Sequence, residues 1–105
     1  NDDQTVPVLS LGGIGVISVA SNIIPSEMSK LCHEYLNGNT TVAREMQNKY
    51  LGLLKALFYD VNPIPVKTAM NLMGLNVGEC RPPLFPMDEK TTEALKQKLI
   101  ECNLL

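Results

Sequence analysis

Gly12-Gly13-Ile14-Gly15-Val16-Ile17-Ser18-Val19-Ala20-Ser21-Asn22 is the stretch on which the reading of the fold turns. A glycine-rich turn feeds a short, almost wholly apolar run, and the run ends in small polar residues. Apolar residues at consecutive positions, not alternating ones, describe a strand buried on both faces, the kind found in a parallel sheet covered by helices. No other run among the 105 residues reads as a strand. One doubly buried strand cannot make a sheet. The chain therefore reads as part of a larger α/β fold, with a barrel strand at about 15–20.

Around that strand the pattern is helical. Asp2 or Asp3 is placed to cap a short helix over residues 4–11, and Gly12 stops it. Pro7 falls near the first turn, where a missing N–H costs least. Pro25 opens a second helix, with Met28, Leu31, Cys32, Tyr35 and Leu36 on one face, and Asn37-Gly38-Asn39 closes it. Thr40 or Thr41 caps a third helix over 40–58, with an apolar stripe of Val42, Met46, Tyr50, Leu53, Leu54, Leu57 and Phe58. Gly52 inside it costs about 1 kcal/mol against alanine, which implies close packing of another element there. Asn62-Pro63-Ile64-Pro65 reads as a rigid link before a short helix over 66–73, and Cys80–Pro86, with three prolines, as an extended connection. Asp88 caps a last helix over 89–102, with Leu95, Leu99 and Ile100 inward.

Apolar residues at 45% and charged residues at 19% mark a globular chain, not a disordered one. A net charge of −2 with scattered basic residues offers nothing to nucleic acid or an anionic membrane. No apolar stretch reaches the ~20 residues of a membrane span, and no signal-peptide pattern stands at the start. The first residue is Asn1, not Met, so the chain is expected to be cleaved or cut from a longer one. Cys32, Cys80 and Cys102 are far apart and odd in number, which suits reduced, structural thiols in a cytoplasmic protein.

Four segments together resemble one family: Asn1-Asp2-Asp3, the run Gly12-Gly13-Ile14-Gly15-Val16-Ile17-Ser18-Val19, Asn62-Pro63-Ile64-Pro65-Val66-Lys67, and Arg81-Pro82-Pro83-Leu84. Their order and spacing are similar to those of the dihydrodipicolinate synthase family, and the resemblance runs the length of the chain. It implies an α/β parent, a (β/α)8 barrel with three C-terminal helices, of which this chain is the C-terminal, mostly helical piece. Residues 1–38 would be the last βα elements and 39–105 the helical extension. The resemblance further implies a homotetrameric lyase that condenses pyruvate, held as a Schiff base on a lysine, with aspartate semialdehyde in lysine and diaminopimelate biosynthesis, without a cofactor. The reactive lysine, the tyrosine and threonine of the proton relay and the arginine that receives the semialdehyde would all precede Asn1. No catalytic residue is then expected here, and the chain alone is expected to lack activity unless a complementary N-terminal segment is present.

The same resemblance assigns Ile17 to the border of the pyruvate pocket, Asn1 and Asp2 to its edge, and Pro7, Ser10 and Leu11 to a subunit interface. The residues themselves leave plainer readings open: core packing for Ile17, a helix N-cap for Asp2. Lys67 has no basic neighbour to lower its pKa and reads as structural. His33, the one histidine, lies off the apolar stripe and reads as solvated. Asp2 and Asp3 lack a third ligand for a metal. The glycines at 12, 13 and 15 do not make a dinucleotide fingerprint, and the methionines read as gap-filling core. Two alternatives stand beside the synthase: another pyruvate Schiff-base aldolase, similar to N-acetylneuraminate lyase, and a non-catalytic helical scaffold or assembly module.

Overall fold

The computed structural model describes residues 1–105. A 3₁₀ turn over Asp2–Gln4 runs into α1 (Thr5–Ser10), and a second 3₁₀ turn covers Ala20–Asn22. Four longer helices follow: α2 (Pro25–Leu36), α3 (Thr40–Ala56), α4 (Ile64–Leu72) and α5 (Glu89–Glu101).

The helix ends follow local chemistry. Pro25 sits in the first turn of α2, and Gly38 beyond its end takes φ +90°, a conformation that costs glycine little. Asp88 caps α5 by accepting the Thr91 N–H at 2.6 Å. That hydrogen bond holds its carboxyl below the ordinary range, so the cap is present above the usual carboxylate pKa and is lost as pH falls through the lowered one. α4 begins at Ile64, two residues earlier than the sequence pattern suggests, because Pro65 fits a first turn whose N–H groups need no intrahelical partner. Neither Asp2 nor Asp3 caps α1; Asp2 has another task, described below.

Most of the core lies between α3, α4 and α5. Tyr50, Leu53, Leu54 and Leu57 pack on Ile64, Val66, Ala69, Leu95 and Leu99, with Ile23, Ile24 and Met28 closing one end. A smaller cluster of Leu9, Leu31 and Ala43 joins α1, α2 and α3. The inward stripe of α3 starts at Ala43 and Gln47; Val42 and Phe58, expected inside, are 39% and 42% exposed. Ile100, also expected inside, is exposed, because Leu95 and Leu99 fill the facing positions of α5.

The expected strand does not form. Residues 13–18 carry no regular secondary structure. No N–H of residues 14–18 finds an acceptor within the chain, and Gly13 N–H turns back to the Val8 carbonyl at 3.0 Å. A strand is a pairing, and this chain supplies no second strand. Ile14 and Ile17, apolar enough for burial, stand 86% and 103% exposed. The shape agrees. A compact 105-residue domain has a radius of gyration of about 13 Å, whereas this one measures 14.2 Å and 42 × 26 × 20 Å along its axes. Its 6409 Å² of accessible surface exceeds the roughly 5,800 Å² expected for a monomer of this mass.

Two glycines illustrate opposite constraints. A Cβ on Gly13 would lie 2.8 Å from Val8 Cγ1 and 2.9 Å from the Val8 carbonyl oxygen, so the chain leaves α1 through a gap only glycine fits. At Gly52 the nearest atom is Lys98 Cδ of α5, 3.5 Å away, an ordinary contact. Gly52→Ala is therefore expected to stabilise the fold by about 0.5–1 kcal/mol, read as a higher urea midpoint, and Gly13→Ala to lower it.

Candidate functional site

The unpaired stretch 14–18 ends in a tightly built turn. Ser18 Oγ accepts the Ser21 N–H at 2.9 Å, Ser21 Oγ donates to the Ser18 carbonyl at 3.0 Å, and the Asn22 amide donates to the Val19 carbonyl at 2.9 Å. The remaining donors at the head of the turn, the N–H groups of Val19 and Ala20, both point to Asp2. Its Oδ2 accepts them at 3.0 and 2.9 Å. The carboxylate that sequence suggested as a cap for its own helix thus caps a turn 17 and 18 residues away.

Asp2 is itself held. Its main-chain oxygen accepts from Thr5 Oγ1 at 2.8 Å and from Gln47 Nε2 at 3.0 Å, while Gln47 Oε1 accepts the Val6 N–H at 3.1 Å. All three side chains are buried: Asp2 at 2%, Thr5 at 2% and Gln47 at 6% exposure. Asp2 Oδ1 is buried without a hydrogen-bond partner. Cys32 lies near enough for burial, and then the Asp2 charge, to raise its thiol pKa.

Among the other candidate residues, Asn1 is exposed and Ile17 fully so. Asp2 is not open to solvent, so any part it takes at a pocket edge is through the backbone it holds. Pro7, Ser10 and Leu11 lie on the surface of α1, with Leu11 87% exposed and Ser10 Oγ donating to the Pro7 carbonyl at 2.6 Å. Lys67 Nζ donates to the Glu79 carbonyl at 2.8 Å, the structural bond its sequence setting suggested. It borders a cleft of about 300 Å³ between α4 and the 78–86 connection, where Asn71 also pins Val77 and Gly78. His33 is exposed and turns back to the Ser29 carbonyl. No group of three metal-binding side chains converges anywhere, and no helix is long and apolar enough to cross a membrane. Gln47 and Thr5 were missed by sequence reading. The signal was present, since Gln47 stands in the inward register of α3 between Ala43 and Tyr50.

The chain joins a bare apolar segment to a packed group of helices. Its solved neighbours are (β/α)8 barrel enzymes, and the chain superposes on about a third of each. The chain belongs to the dihydrodipicolinate synthetase family, whose family model matches residues 1–102. The 4-hydroxy-tetrahydrodipicolinate synthase of Caldicellulosiruptor bescii is 57% identical over 101 residues, which is 96% of this chain and 34% of that protein. The crystal structure of dihydrodipicolinate synthase from Thermotoga maritima is 52% identical with a TM-score of 0.96, covering 100% of this chain and 36% of the other. The chloride-inhibited enzyme from Acinetobacter baumannii, solved with pyruvate, is 36% identical with a TM-score of 0.93, covering 99% and 36%. The chain thus spans about a third of the length of its curated relatives.

Burial and the Asp2 charge both disfavour the Cys32 thiolate. Alkylation of Cys32 by iodoacetamide is therefore expected to lag behind that of free cysteine at neutral pH and to recover only at pH above the ordinary thiol range. Peptide mass spectrometry across pH reads this directly; a course like that of free cysteine counts against the burial of Cys32 and the closeness of Asp2.

Proposed function

We propose that this chain is the C-terminal third of a dihydrodipicolinate synthase, in which residues 1–38 complete the barrel and 39–105 form its helical extension. The parent enzyme condenses pyruvate with aspartate semialdehyde in the lysine and diaminopimelate route. A lysine outside this chain holds pyruvate as a Schiff base: its amine adds to the pyruvate carbonyl carbon and water leaves. No cofactor enters. The enzyme works as a homotetramer in the cytoplasm, a compartment that suits three free thiols.

The observation that carries this reading is the stretch 14–18: mostly apolar, with Ile14 and Ile17 exposed and no N–H bonded within the chain. Such a segment satisfies its N–H and C=O groups only between neighbouring strands. Barrel enzymes build their sites at the C-terminal ends of strands. Ile17 near the end of this one is the wall of the pyruvate pocket, and Asn1 with the Asp2 backbone forms its edge. The chain alone supplies no activated amine and is inactive.

Pyruvate and borohydride test this by intact mass. The full-length enzyme is expected to gain a reduced pyruvate adduct and this chain none. An adduct on this chain would move the reactive amine into it, with Lys67 the first suspect, and no adduct on either would favour a scaffold. Leu11, with Pro7 and Ser10, lies at a subunit interface in this reading. Leu11→Glu in the full-length enzyme is expected to shift sedimentation from tetramer to smaller species; an unchanged tetramer removes α1 from the interface.

A further inference from the structure

In the stretch that would line the pocket, no backbone N–H of residues 14–18 is bonded within this chain. Beyond Ile17, Ser18 is bonded only to Ser21 of its own turn, and the first tie to another part of the chain is the pair of N–H groups on Val19 and Ala20, both held by one oxygen of Asp2. Ile17 lies two residues upstream of that point, so its backbone moves with the Asp2 carboxylate. Hydrogen bonds to a carboxylate are shorter and roughly twice as strong as neutral ones, which makes this a firm anchor.

The anchor is tied in turn to α3. Gln47 spans Asp2 and Val6 with both ends of its amide, donating to one backbone oxygen and accepting from one backbone N–H. A buried side-chain amide bonded at both ends fixes the position of both partners. A displacement of α3 therefore reaches Val19 through Asp2. We propose that Asp2 is the positioning residue of the Ile17 wall, and that Gln47 sets Asp2 from the helical extension. This rests on the pyruvate-pocket reading of Ile17. Misplacement of a pocket wall by 1 Å is enough to cost about 10²-fold in rate.

The role is that of an acceptor at one point. Asn at position 2 keeps an oxygen for Val19 and Ala20, and its amide nitrogen replaces the Oδ1 that finds no partner. Alanine keeps nothing. The test uses the full-length enzyme with Asp2→Ala, Asp2→Asn, Gln47→Ala and, as a control, Asp3→Ala. Steady-state kinetics and amide hydrogen exchange at residues 14–22 are measured for each. Asp2→Ala is expected to raise the KM for pyruvate about tenfold or more, with the KM for the aldehyde substrate unchanged, and to speed exchange at Val19 and Ala20. Asp2→Asn is expected to restore most of both, Gln47→Ala to give a smaller change in the same direction, and Asp3→Ala to match wild type.

A role in folding alone lowers the active fraction, and with it kcat, but leaves the KM where it was. An unchanged pyruvate KM in Asp2→Ala, or in Gln47→Ala should the alanine variant at position 2 not fold, overturns the proposal. Exchange at Val19 and Ala20 that no variant alters overturns the anchor itself. A wild-type enzyme that traps no pyruvate with borohydride defeats the functional reading, and the exchange data then stand apart as the measure of the anchor.

Discussion

A carboxylate with 2% of its surface left to water must be given hydrogen-bond donors. Asp2 receives two, and the way it receives them organises the first half of the molecule. The donors come from a turn that would otherwise bury two backbone N–H groups unpaired, a cost of about 1–3 kcal/mol for each. The turn comes from a segment with no partners before it. One residue thus joins the start of the chain to the end of the bare segment through its carboxylate and, through its main-chain oxygen and Gln47, to the longest helix. The small apolar cluster of Leu9, Leu31 and Ala43 lies between the same elements, so hydrogen bonding and packing fix one arrangement.

The second half is held differently. There, Leu53, Leu54, Leu57, Leu95 and Leu99 are almost wholly buried, each contributing about 1.5–3 kcal/mol by leaving water. Lys98 and Glu101 make the one ion pair, within a single exposed turn of α5, and it adds little beside the leucines. Helices α3 to α5 therefore have a core of their own, while the segment before α2 leans on them and presents its apolar residues outward. The excess surface and the elongated shape belong to that face.

Much of this was legible in the sequence, and the reasons are local. Pro25, Gly38 and Asp88 act on their immediate neighbours, and the helices they bound were read to within a residue or two. The phase of α3 was read less well, because Val42 and Ala43 are both apolar and only the packing of α2 decides which one faces in. The strand was legible as a composition but not as a structure, since its partners are not in the chain. Gln47 and Asp2 were the hardest. Forty-five residues separate them, and although Gln47 stands in the inward register of α3, nothing local names Asp2 as its partner. The family itself was legible because four separated segments agreed.

The amide of Gln47 also bears on modularity. In the reading proposed above, residues 1–38 and 39–105 are separable pieces, one from the barrel and one appended to it. Yet a buried side chain of the second reaches the backbone of the first at two points, and burial leaves no water to substitute for a lost partner. In that reading, the seam at residue 38 is a costly place to exchange halves between two relatives. Recombination there brings together a Gln47 and an Asp2 segment shaped in different backgrounds, and the mismatch falls on the turn whose head Asp2 holds.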